Sequence, residues 1–239
     1  GELINTYGYN LEPGSKELTA LNYYTNEEIT IPLDPTQTPG ENAQRYFAKY
    51  NKQKRTFEAL TELIQETADD IQYLESISNA LDIALSEADL AQIKEELMQS
   101  GYIRRKHTKK KVKLTSKPMH YISSDGYDMY VGKNNLQNEE LTFSFANGND
   151  WWFHAKGAPG SHVIVKSGGD ELPDRTFEEA GRLAAYYSKN RGADKVEIDY
   201  IQKKHVKKPN GAKPGFVVYY TNYSLVIDSD ISNIKNVQD

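Results

Sequence analysis

Residues 150–166 read DWWFHAKGAPGSHVIVK and hold both tryptophans of the chain. Two short runs rich in apolar and aromatic residues flank a Gly-Ala-Pro-Gly turn, the pattern of two strands with a tight connection. Successive side chains of a strand point to opposite faces. Alternation therefore puts Trp151, Phe153 and Ala155 on one face and Trp152, His154 and Lys156 on the other. The first face is wholly apolar and needs a cover. The second carries an indole, an imidazole and an amine in one row, a set able to stack a base and neutralise a phosphate. The competing reading of Trp152 is ordinary core beneath a loop.

The cover for the apolar face lies downstream. TFEEAGRLAAYYSKN (176–190) brings Phe177, Ala180, Leu183, Ala184 and Tyr187 onto one helical stripe, after Pro173-Asp174 and before Gly192. Strand-like patterns surround it: MHYIS (119–123), YDMYVG (127–132), LTFSFA (141–146), HVIVKS (162–167), KVEIDYI (195–201), GFVVYY (215–220) and SLVID (224–228). Many strands with one strong helix predict a compact, mainly antiparallel α+β domain over 119–239.

Upstream the organisation changes. Residues 1–40 are expected to form a small β-rich module. ELINTYGY (2–9) and LTALNYY (18–24) are its strands, separated by a Pro-Gly turn, with EITIPLDPTQTPG (28–40) extended. Thr38 and Glu41 have capping-box spacing and open a helical arm over 41–103. Ala43, Tyr46, Tyr50, Gln53, Phe57, Leu60, Ile64, Thr67, Ile71, Leu74, Ser78 and Leu81 recur at alternating steps of three and four, a coiled-coil seam. One helix cannot bury its own seam, so a partner is expected, either upstream of Gly1 or by self-association through residues 43–81. A second helix, Ser86 to Ser100, carries Ser86 and Asp89 as its cap and stops at Gly101. The start on Gly1-Glu2 rather than Met reads as a fragment.

The chain has 239 residues, no cysteine and a net charge of −5. Disulfides and thiolate metal sites are excluded, which suits a reducing compartment. No apolar run is long enough to span a bilayer, so no membrane span is expected. An acidic chain that binds nucleic acid must gather its cations locally, and two stretches do so. Arg104–Lys117 holds eight Lys/Arg and no acid, among them Arg104, Arg105, Lys106, Lys109, Lys110 and Lys111, and reads as a basic linker over 104–118. Lys203–Lys213 holds Lys203, Lys204, Lys207, Lys208 and Lys213, again with no acid. Lysine is a hydrated point charge suited to phosphate contact without base readout. Catalytic signatures are missing: there is no GxSxG, and GAPGSH (157–162) lacks P-loop spacing. Ser161 and His162 are adjacent and point apart on a strand, so they form no nucleophile–base pair. His154 and His162, eight apart, match no standard metal site. A non-enzymatic protein with no metal and no cofactor is expected.

DGYDMYVGKNNLQNEELTF (125–143), DWWFHAKGAPGSHVIVK (150–166), AGRLAAYYS (180–188) and VKKPNGAKPGFVVYY (206–220) together resemble the C-terminal NFACT-R domain of the NFACT family of ribosome quality-control proteins. Residues 1–118 resemble the family's coiled-coil middle region, mostly in pattern. The resemblance implies an RNA-binding factor that engages stalled large ribosomal subunits, rRNA and tRNA and supports C-terminal tailing of nascent chains, in the cytoplasm. It carries RNA-contacting roles onto Lys133, Asn134 and Asn135, onto Trp152, His154 and Lys156, and onto His162 and Lys213. Lys133 stands where arginine is common, keeping the charge without the bidentate fork. Some family members are described as fibronectin or fibrinogen adhesins, so a bacterial cell-surface adhesin is the alternative.

Overall fold

The computed structural model describes residues 1–104 and 116–237. Two compact units divide the chain, Gly1–Asp69 and Asp70–Asp239.

The first unit opens with helix α1 (Glu2–Tyr7), where a strand was expected. Leu3 and Ile4 are neighbours in sequence, yet both pack into one core with Leu18, Ala20, Ile31 and Ala43. A strand sends neighbours to opposite faces, whereas a helix keeps them on one side. The hairpin strands β1 (Glu17–Asn22) and β2 (Glu27–Pro32) pair antiparallel, Glu17 opposite Pro32. Helix α2 (Pro39–Ile83) then begins at the expected capping box. Glu41 N donates to Thr38 Oγ1 at 3.3 Å, and Thr38 N donates to Glu41 Oε2 at 2.8 Å. Within this unit Tyr50, Phe57, Leu60 and Ile64 of the seam stand exposed.

The second unit contains the end of α2, helix α3 (Glu87–Gln99) and the sheet domain. Here the seam needs correcting. Tyr73, Ile77 and Ala80 are buried against Ile93 of α3, while Ile71, Leu74 and Leu81 stay exposed. The buried stripe thus lies one residue away from the coiled-coil register, because the partner is the short α3 rather than a long parallel seam. Ser86 and Asp89 cap α3 reciprocally, and Gly101, at φ +82°, ends the turn beyond it.

Strands β3 (Met119–Ile122), β4 (Asp128–Val131), β5 (Trp151–Ala155), β6 (Val163–Val165), β7 (Val196–Gln202), β8 (Tyr223–Ile227) and β9 (Lys235–Asn236) form one sheet in the order β8-β7-β5-β6-β4-β3-β9, with every neighbour antiparallel. The α+β expectation holds. Helix α5 (Asp174–Tyr186) covers one face with Ala180, Leu183 and Ala184, and Phe177 meets Trp151 edge-on at 4.8 Å. The apolar face of WWFHA is therefore the core face, as alternation required.

Two expected strands are not strands. LTFSFA continues helix α4 (Asn135–Glu140) into a π-helical turn, Leu141–Phe145. Leu141 and the adjacent Thr142 are both buried, and Thr142 Oγ1 lies 2.8 Å from His162 Nδ1. GFVVYY makes a single bridge, Lys207 to Val218. It serves instead as a lid, with Val217 and Tyr219 packed on the second sheet face.

Candidate nucleic-acid interface

The row that contains Trp152 runs across the sheet on the face away from α5. Ile201, Trp152, Ile164, Tyr130 and His120 sit opposite one another on successive strands β7, β5, β6, β4 and β3. The first three are buried beneath Leu141, Ala146, Val206, Val217 and Tyr219. Trp152 is 0% exposed, so the stacking reading of this residue is corrected: no ring face is left for a base. His162 is also buried, wedged between Trp152 at 5.1 Å and His154 at 5.4 Å, both edge-on. Its Nδ1 lies 2.8 Å from Thr142 Oγ1. Burial holds both imidazoles below the usual histidine range, His154 at about 4 despite the opposing pull of Asp199. Both rings are neutral at pH 7 and neutralise no phosphate.

The motif Gly132–Asn138 is likewise internal. Lys133, its side chain 11% exposed, pairs at 3.2 Å with Asp89, which is 1% exposed. Burial alone would raise the Asp89 carboxyl. Hydrogen bonds from Ser116, Leu85 N, Ser86 and Lys133 outweigh that and hold it at about 2. Asn134 caps α4 by accepting from Gln137 N at 3.0 Å and donates to Gln92 Oε1 at 2.9 Å. Asn135 donates to Ser76 Oγ at 2.7 Å and to Glu96 Oε1 at 2.8 Å. Asn138 accepts from His162 N at 2.9 Å and reaches Gly160 O at 3.3 Å. A Cβ on Gly132 would lie 2.2 Å from Asn138 Oδ1, which explains the glycine. These residues lock the α2–α3 pair to the sheet. They are positioning groups, and the RNA-contact roles carried onto Lys133, Asn134 and Asn135, and onto the fully buried His162, are corrected accordingly.

The surface lysines divide into two groups. Lys156 pairs with Glu197, Lys208 with Glu139 at 2.7 Å, and Lys213 with Asp70. Lys213 also sits 4.7 Å and 5.3 Å from the rings of Tyr73 and Tyr102. Lys203, Lys204 and Lys207 have no acidic partner among the described residues and follow the C-terminal end of β7, around the short turn Lys203–His205. Arg104 is exposed. Arg105, Lys106, Lys109, Lys110 and Lys111 fall outside the described residues.

Sequence reading missed the part of the row that does reach solvent. Tyr130 stacks on His120 at 4.5 Å with the rings 3° from parallel, and Phe145, 41% exposed, meets Tyr130 edge-on at 4.7 Å. Lys166 Nζ lies 4.9 Å over the Phe145 ring, and Lys203 Nζ lies 5.9 Å over Phe143. The alternation of YDMYVG put Tyr130 on one face, but only the register places that face in line with Trp152.

This arrangement coincides with a family match over nearly the whole chain. Residues 1–116 match the NFACT N-terminal and middle domains, and residues 117–221 match the NFACT protein RNA binding domain, so the break falls inside the expected basic linker. The chain is 44% identical over 239 residues to the Rqc2 homolog RqcH of Streptococcus pneumoniae serotype 2 (strain D39), covering all of this chain and 43% of that protein. It is 41% identical over 241 residues to the Rqc2 homolog RqcH of Bacillus subtilis (strain 168), covering 98% of this chain and 41% of that protein. The chain thus spans less than half the length of these relatives. The C-terminal part of the fibronectin/fibrinogen-binding protein from Streptococcus suis (FBPS) superposes with a TM-score of 0.76 at 43% identity, over 83% of this chain and 80% of that one. A buried polar latch, an α5-covered antiparallel sheet and these matches together make the chain a member of the NFACT family, carrying that family's RNA-binding domain.

Proposed function

We propose that the chain acts as a non-enzymatic RNA-binding portion of a cytoplasmic ribosome quality-control factor. Its role is to contact rRNA or tRNA on an obstructed large ribosomal subunit, in support of C-terminal tailing of the nascent chain. The observation that carries this reading is the cluster of half-buried Lys203 with exposed Lys204 and Lys207, three cations without an acidic partner among the described residues, inside the stretch that matches an RNA-binding domain. Unpaired lysines on a chain of net charge −5 are the groups best suited to meet phosphate, which supports this reading.

Filter binding of the 239-residue chain to rRNA and tRNA across a salt series tests it. Phosphate contact requires affinity to fall linearly with salt on logarithmic axes, by about 0.7 per single-strand contact. Salt-insensitive binding, or none, refutes the reading. The Streptococcus suis relative is named for fibronectin and fibrinogen binding. A parallel fibronectin arm covers that second reading: saturable capture there, with no RNA binding, would favour adhesion.

A further inference from the structure

We propose that Phe145 and Tyr130 form a stacking site for an unpaired nucleotide of single-stranded RNA, with Lys203 and Lys204 meeting the flanking phosphates. The proposal deepens the RNA-binding reading above and rests on it.

The sheet row explains why an aromatic surface exists here. Its Trp152 end is fully buried, while at the other end Tyr130, packed against that cluster, and His120 stay half-buried. Phe145, the last residue of the π-helical turn, stands beside Tyr130 and keeps part of its ring in solvent. An exposed phenylalanine ring held rigidly is unusual enough to ask what fixes it. Lys166 does so: its Nζ lies over the ring, bonds Asp150 and reaches Phe145 O at 3.4 Å. Asp150 is itself buried and accepts from Asn147 N at 2.7 Å, so the segment leading away from Phe145 is tied down. Lys166 is therefore a positioning residue with its charge already matched.

The free charge comes from the next strand end. Lys203 N donates to Asp150 O at 2.8 Å and Lys204 N donates to Gly148 O at 3.0 Å, which sets both lysines against the segment that follows Phe145. The acids nearest the rings are occupied, Asp128 by His120 at 2.6 Å and Asp150 by Lys166. An exposed aromatic ring, with unmatched lysines bonded through their backbone to the segment that follows it, suits a base with its phosphates. A duplex hides its base faces, so the fit is to single strands.

Fluorescence anisotropy of the whole chain with a short unstructured RNA, and with a blunt RNA duplex of equal charge, separates the contributions. Phe145→Leu should weaken single-strand binding roughly 5- to 100-fold, the range for one stacked base, and leave the salt slope and duplex binding unchanged. Lys203→Ala with Lys204→Ala should lower the slope for both RNAs. Phe145→Trp should keep affinity and add a fluorophore quenched by the single strand and not by an inorganic polyphosphate. Wild-type RNA binding that is indifferent to Phe145→Leu, with no quenching in Phe145→Trp, overturns the stacking site and leaves the RNA-binding reading intact. Failure of the wild type to bind any RNA overturns both.

Discussion

Gly132–Asn138 and Lys203–Lys208 lie in the same domain and look alike on paper, each a mostly polar stretch that carries lysine. In the fold they are opposites. The first is mostly buried, and its side chains bond α3, the end of α2 and the backbone of His162, just before β6. The second is mostly exposed, and three of its lysines have no acidic partner among the described residues. The segment that carried the most recognisable motif is scaffolding, and the segment with the simplest composition is the better candidate for contact. Buried polar groups must all find partners, so they demand particular residues at particular places. A phosphate-contacting surface asks only for charge.

That contrast is breakable by mutation. The largest effect is expected in the interior row: Trp152→Ala should cost about 4 kcal/mol in urea denaturation, as for other large buried aromatics. A loss under about 1 kcal/mol, with RNA affinity abolished, would return Trp152 to the surface. Lys133→Ala strands a buried carboxylate at Asp89 and should cost about 3 kcal/mol without altering the RNA salt slope. A lower slope with full stability would make Lys133 a contact residue after all.

Acid sharpens the same point. His154 has its folded pKa depressed to about 4 by burial, so the neutral form is favoured in the fold, while the unfolded chain takes up a proton near 6.5. Stability should fall as pH drops below about 6.5, by about 1.4 kcal/mol per unit, and level off for this group near 4, a total of about 3 kcal/mol. Asp89, held at about 2, adds a second loss only below about pH 4, as its unfolded counterpart protonates first. Denaturant midpoints that stay flat from pH 7 to 4.5 would contradict the depressed pKa of His154. The smallest effect on stability belongs to the lysine edge. Lys203, Lys204 and Lys207 to alanine should change it by less than about 0.5 kcal/mol, while lowering the RNA salt slope by about 2.

Much of this architecture was legible from residue order. Alternation in DWWFHAK sorted Trp151 and Phe153 to the α5 face, and the stripe from Phe177 to Tyr187 supplied the cover. Both capping boxes fell where Ser, Thr, Asp and Glu spacing put them. The misses share one cause. ELINTY, LTFSFA and the seam after Ile71 were read by local period, and each was settled by a neighbour distant in sequence: the β1–β2 hairpin, His162 and α3.

The candidate site divides the same way. Sequence alone located the acid-free lysine runs. It also determined which residues share a strand face, since the two-residue period is a property of the extended backbone. Only the tertiary structure decided which end of the shared row is roofed. Val217 and Tyr219 pack over the Trp152 end, which is fully buried, while Tyr130 and His120 keep part of their surface in solvent. Exposure depends on what packs on a face, and that packing joins segments far apart in the chain.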